Sequence, residues 1–88
     1  PALYEYIGQT LKYPFSAQSA GIQGVVYIYF VIKKDGTITD VKVKNGINED
    51  LNAEAVRIVK RMPKWKPGRF EGRLVSYEFT LPIRFKLE

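Results

Sequence analysis

Serine hydroxyls at Ser16, Ser19 and Ser76 and nine carboxylates are present in this chain of 88 residues, but the groups that would put them to catalytic use are missing. There is no histidine to take a proton from a hydroxyl, and no cysteine to act as nucleophile, thiolate ligand or disulfide. The acids have structural explanations. Asp35 stands before a glycine in a turn pair, and Asp50 and Glu54 fall at the start of a helical pattern, where negative charge suits the dipole. Ile32-Lys33-Lys34-Asp35 lacks the acids that a calcium loop sets before its glycine. Gly21, Gly24, Gly36, Gly46, Gly68 and Gly72 have neither phosphate-loop nor dinucleotide spacing. Catalytic residues, metal ligands and cofactors are therefore expected to be none, and the chemistry to expect is binding.

Three features suit binding. The run Leu74, Val75, Ser76, Tyr77, Glu78, Phe79, Thr80, Leu81 alternates like a strand and contains neither of the residues, lysine and proline, that commonly guard an exposed edge. Tyr27 and Tyr29 project from one side of another strand. The segment around Trp65 carries Arg57, Lys60, Arg61, Lys64, Lys66, Arg69 and Arg73 against Glu71 alone, so the chain's net charge of +5 is concentrated there. Such a surface attracts anions, and Arg57, Lys60, Arg61, Lys64 and Arg69 are the candidates for electrostatic steering.

The elements that must position these groups are legible. Leu3, Tyr4, Ile7 and Leu11 recur at helical spacing, and the helix stops by Lys12 because Tyr13 precedes a proline. Pro14 opens a second short helix through Ala20, which Gly21 ends. From Gly24 to Lys34 the β-branched and aromatic residues predict a strand whose inner row is Val26, Ile28, Phe30 and Ile32. Asp35-Gly36 predicts a hairpin. A two-residue loop there sets Phe30 opposite Val41, Ile28 opposite Val43, Tyr29 beside Lys42 and Tyr27 beside Lys44, with a bulge near Thr39 to bring Ile38 into phase. Asn48 or Asp50 caps a helix that buries Leu51, Ala55, Ile58, Val59 and Met62 and turns Asn52, Glu54, Arg57, Lys60 and Arg61 to solvent. After Gly72 a last strand alternates from Val75 to Leu87, and Pro82, which cannot donate to a ladder, sets it at an edge.

The expected fold is α+β: a three-stranded antiparallel sheet of order 2-1-3 with helices on one face and topology α-β-β-α-β, in one domain over residues 1–88. A chain this short hides only about 60–65% of its unfolded surface, which disfavours a deep enclosed cavity. No apolar run reaches the roughly 20 residues that span a bilayer, and no signal peptide opens the sequence. The chain is expected to be soluble or a domain of a longer, anchored protein.

Tyr13-Pro14 with Ala17, Gly24 opening a strand that carries Phe30, Asp35-Gly36, Val41 and Val43, Leu51 with Glu54-Ala55, Trp65 before Pro67-Gly68, and Gly72 leading to Pro82-Ile83-Arg84-Phe85 follow one another in a specific order and spacing. In this the chain resembles the C-terminal domain of the TonB energy transducers, over about residues 13 to 87. The resemblance implies a periplasmic domain of a Gram-negative envelope protein, anchored in the inner membrane through a region absent from this chain. It also implies partners: the Ton box peptide of an outer-membrane transporter, paired with the last strand at Leu74 through Leu81, and an inner-membrane motor of the ExbB-ExbD type. Where well-known members carry Gln-Pro-Gln before the Tyr-Pro and an arginine after, this chain has Thr10-Leu11-Lys12 and Phe15-Ser16. Strand addition predicts that proline at Ser76 abolishes peptide binding.

Other readings are an interaction module of the same family in a sensor or peptidase protein, and a binder of single-stranded nucleic acid through Tyr27, Tyr29 and the basic segment. The second lacks the fourth strand and the aromatic-glycine motif of the common RNA-recognition module, so no nucleic acid is expected. A homodimer is open to a chain with a free strand edge.

Overall fold

A computed structural model describes residues 2–87. Its elements are α1 (Ala2–Thr10), α2 (Phe15–Ser19), β1 (Gly24–Ile32), β2 (Ile38–Asn45), α3 (Glu49–Lys60), β3 (Gly68–Phe70), β4 (Arg73–Val75) and β5 (Tyr77–Phe85). The main sheet is antiparallel in the order β2-β1-β5, and β3 and β4 form a separate two-stranded hairpin. The expected order and class are therefore present, with the last expected strand divided between β4 and β5. Ser76 separates the two, and the alternation runs across the break because Val75 and Tyr77 are both half-buried.

β1 is the spine. Val26, Ile28, Phe30 and Ile32 are buried against Leu51, Ala55, Ile58 and Val59 of α3, Leu81, Ile83 and Phe85 of β5, and Ala17 of α2. Tyr27 on the opposite face stays exposed, and Val25, Tyr29 and Val31 are half-buried. α2 and α3 thus cover one face of the sheet, and the other is aromatic and more open, with Tyr4 and Ile7 of α1 reaching its margin.

The β1–β2 hairpin departs from the expected register in an instructive way. The Gly36 N–H donates to the Lys33 carbonyl at 2.8 Å and the Lys33 N–H to the Thr37 carbonyl at 2.8 Å, so the loop has three residues, 34 to 36. Asp35 Oδ1 accepts from the Thr37 N–H at 3.0 Å and its hydroxyl at 2.6 Å, which pulls the carboxyl below its usual range. Gly36 takes φ +89, and a Cβ there would lie 2.3 Å from the Trp65 carbonyl oxygen. This loop sets Ile32 opposite Ile38; the ladder then shifts, leaving both Asp40 and Val41 against Phe30, and recovers the expected pairs Ile28–Val43 and Tyr29–Lys42. The bulge expected near Thr39 is at Asp40, whose φ of +57 is a left-handed conformation that aspartate tolerates. A second shift sets Tyr27 opposite Asn45 instead of Lys44, and Val43 remains 36% exposed at the sheet margin.

Asn48 caps α3, its Oδ1 accepting from the Leu51 N–H at 2.8 Å. In α1 Tyr6 takes the packing position expected of Tyr4: its hydroxyl donates to the Ile58 carbonyl at 3.1 Å, while Tyr4 is 62% exposed. Two helical residues past Tyr4, Tyr6 falls three after Leu3 and so shares its face.

Candidate functional site

β5 is one of the two outer strands of the sheet, β2 being the other, and the sequence determines which of its backbone groups are free. It pairs with β1 from Tyr77 opposite Ile32 to Phe85 opposite Gly24. Pro82 faces Tyr27 and has no N–H, so this pair must be one that exchanges no hydrogen bonds. Alternation does the rest. Tyr77, Phe79, Leu81, Ile83 and Phe85 bond to β1, whereas Glu78, Thr80, Pro82 and Arg84 direct their backbone groups outward. The free edge thus offers N–H donors at Glu78, Thr80 and Arg84 and carbonyl acceptors at all four.

Beside the second half of this edge lies a groove of about 400 Å³, lined by Tyr4 and Ile7 of α1, Val25 and Tyr27 of β1, and Pro82 and Arg84 of β5. Its lining is more apolar than polar, and the polar part includes Arg84. An extended chain here finds backbone partners along β5 and apolar contacts on both sides of it.

The candidate residues from the sequence separate into groups. Leu74 and Val75 lie in the β3–β4 hairpin, away from the main-sheet ladder, and Ser76 lies in neither strand. Tyr77 donates its hydroxyl to the Lys66 carbonyl at 3.1 Å. Phe79 turns inward, its ring centroid 5.9 Å from that of Phe30 and 5.2 Å from that of Trp65. Leu81 is in the core. Glu78 and Thr80 remain as edge-facing residues. Pro82 and Arg84, beyond the expected stretch, belong with them, as do Tyr4 and Ile7; Pro82 itself carried the parity that identifies the edge groups.

The basic candidates divide too. Lys60, Arg61, Lys64 and Arg69 are exposed, with no ion pair among the described residues. Arg57 is engaged otherwise. Its Nε and Nη2 each donate at 2.7 Å to the Glu54 carboxylate, and Nη2 also reaches the Thr10 carbonyl at 2.9 Å. Glu54 Oε2 accepts from the Lys12 N–H at 2.6 Å. Expected on the solvent face of α3, Glu54 is only 9% exposed, because the end of α1 crosses above it. The two side chains tie α1, a wall of the groove, to α3.

Burial opposes ionisation of Glu54, but the Arg57 guanidinium and the Lys12 N–H outweigh it and hold the carboxyl below its usual range. The carboxylate's contribution is therefore full above the ordinary value of 4.5 and is lost as pH falls through the lower folded value. Glu54→Ala is expected to cost about 1–2 kcal/mol near neutrality. Urea unfolding across the acid range should show the gap between wild type and variant closing as the pH drops; a gap that widened would contradict the tie.

On the open face of the sheet, Lys42 Nζ lies 4.8 Å from the centre of the Tyr29 ring, so that one ring face is already covered by this chain's own cation. Among the described residues no group of three or more acids, histidines or cysteines is placed to hold a metal ion. No described helix is long and apolar enough to cross a membrane.

A family model described as the C-terminal of the Gram-negative bacterial TonB protein matches residues 9–87. Protein TonB of Helicobacter pylori strain J99 is 42% identical over 78 residues, covering 88% of this chain and 26% of that protein. Protein TonB of Pseudomonas aeruginosa is 35% identical over 78 residues, covering 86% and 22%. The chain spans about a quarter of the length of these relatives. Among solved structures, a solution structure of the Helicobacter pylori TonB C-terminal domain superimposes with a TM-score of 0.72 at 28% identity, covering 97% of this chain and 89% of that one. The Pseudomonas aeruginosa TonB C-terminal domain gives 0.64 at 31% identity, covering 88% and 78%.

Proposed function

The chain belongs to the family of TonB C-terminal domains, and on that premise we propose that it is the periplasmic receptor-docking domain of a TonB-type energy transducer, with β5 taking up the Ton box peptide of an outer-membrane transporter by strand addition. The observation that carries this reading is the free edge of β5 beside an apolar groove. An added strand bonds to the outward groups of Glu78, Thr80, Pro82 and Arg84, while its side chains meet Tyr4 and Ile7 on one side and Tyr27 on the other.

The role is mechanical, not catalytic. Inner-membrane partners of the ExbB-ExbD type would act through the anchoring region of the full-length protein, and tension would reach the peptide along the β5 ladder. Bonds aligned across the pulling direction share the load, so a strand pulled along its length holds better than one peeled from its end. The exposed cations Lys60, Arg61, Lys64 and Arg69 would favour approach to an acidic face.

The test is a titration of the labelled domain with transporter Ton box peptides, followed by backbone amide shifts. Shifts should concentrate at Glu78, Thr80 and Arg84 and extend to Tyr27. Shifts confined to residues 57–70, with β5 unmoved, would overturn the reading. Pairing of the same edge with a second copy would show as peptide affinity that weakens as the protein concentration rises.

A further inference from the structure

The β3–β4 hairpin has no part in the strand-addition site, yet its surface is not that of an inert loop. It closes through Glu71 at φ +50 and Gly72 at φ +78, two consecutive left-handed residues that define a tight two-residue turn. Its most extensive contacts are between its own two strands, and at its base Gly68 lies against the Tyr77 ring. Phe70 is 66% exposed and Leu74 is 42% exposed. Lys66, Arg69 and Arg73 are also exposed and, like Lys64 at the approach to the hairpin, form no ion pair among the described residues.

The register distributes these side chains in a particular way. Phe70 pairs with Arg73, and Arg69 with Leu74. Cross-strand partners share a face and successive residues alternate, so one face of the ribbon carries Phe70 beside Arg73, with half-buried Val75 at its base, and the other carries Leu74 beside Arg69. A flat protein partner could cover only one face. The headgroup layer of a bilayer surrounds an inserted tip and covers both at once, while arginine stems extend along apolar surface and keep their charge at the phosphates.

We propose that the hairpin tip, Phe70 and Leu74 with Arg69 and Arg73, is a contact site for an anionic lipid surface, with Lys64 and Lys66 adding attraction at its base. The hairpin is formed before contact, so binding requires no ordering of the chain. Glu71 at the turn opposes it, which makes the proposal testable in both directions.

The experiment is co-sedimentation of the chain with phosphatidylglycerol vesicles and with phosphatidylcholine vesicles across a salt series. Binding is expected only to the first and should weaken with salt. Arg69→Gln and Arg73→Gln should each reduce it about fivefold, and Glu71→Gln should raise it by a similar factor. Phe70→Ser should reduce binding even at low salt. All four side chains are exposed, and circular dichroism checks that each variant folds. Absence of sedimentation at low salt overturns the proposal, as does binding that responds to Lys60→Gln and Arg61→Gln but not to the hairpin variants. Retention on immobilised polyglutamate without vesicle binding also overturns it, and assigns the surface to an acidic protein.

Discussion

Thr80→Pro is expected to reduce Ton box peptide affinity by at least about tenfold to a hundredfold while leaving the domain folded, as titration calorimetry and urea unfolding would show together. Thr80 faces Tyr29 two residues from the Pro82–Tyr27 pair, so its N–H points outward and gives nothing to the β1–β5 ladder. Proline there removes an edge donor and sets its ring in the path of an added strand. The native chain already accommodates proline at the equivalent position two residues on. Leu81→Pro is the contrast: it deletes a donor to Ile28 and distorts a side chain that is 2% exposed, so it should unfold the domain. Ser76→Pro, the natural choice from sequence, should leave binding intact because Ser76 contributes to neither ladder. Binding undiminished in a folded Thr80→Pro variant would exclude the β5 edge.

That reversal between Ser76 and Thr80 shows what periodicity conveys and what it omits. Alternation reports which face a side chain takes, and Leu81, Ile83 and Phe85 are buried as their spacing requires. It does not report to which neighbour the backbone groups point, and it passes unaltered through a change of partner. Three-residue strands such as β3 and β4 are too short to establish a period, and their hairpin was not read from the sequence; the structure shows its turn at Glu71 and Gly72. In the first hairpin, Asp35-Gly36 was legible as a turn, but a glycine with positive φ ends a three-residue loop as readily as it fills a two-residue one. The Thr37 contacts of Asp35 decide between them. Glu54 and Arg57 were misplaced for another reason. The helical wheel separates apolar from polar residues, and nothing in it indicates that the backbone of Thr10 and Lys12 will cover the polar side.

The second large effect lies under the edge rather than on it. Phe30→Ala is expected to cost about 3–5 kcal/mol, much of the stability of a chain for which the whole is about 4–13 kcal/mol. Phe30 is wholly buried towards the C-terminal end of β1, opposite the bulge, and its ring centroid lies 5.3 Å from that of Trp65. Trp65 is held by its own N–H donating to the Gly36 carbonyl at 2.8 Å, and Phe79 completes the trio from β5. Removing the Phe30 ring leaves a cavity against Trp65 and Phe79. Urea unfolding should therefore show a lower midpoint with an unchanged slope, and Trp65 emission in the folded variant should move to longer wavelength. Tyr29→Ala, one residue away on the open face, should change the midpoint far less. Because Phe79 precedes Thr80, loosening the trio also loosens the strand that presents the edge. Saturating peptide should then restore part of the lost midpoint, since a ligand that binds only the folded state stabilises it by mass action. A cost below about 1 kcal/mol for Phe30→Ala would mean that the aromatic trio does not support β5, and the rigidity of the proposed docking edge would have to originate elsewhere, the α1–α3 tie at Glu54 being the next candidate.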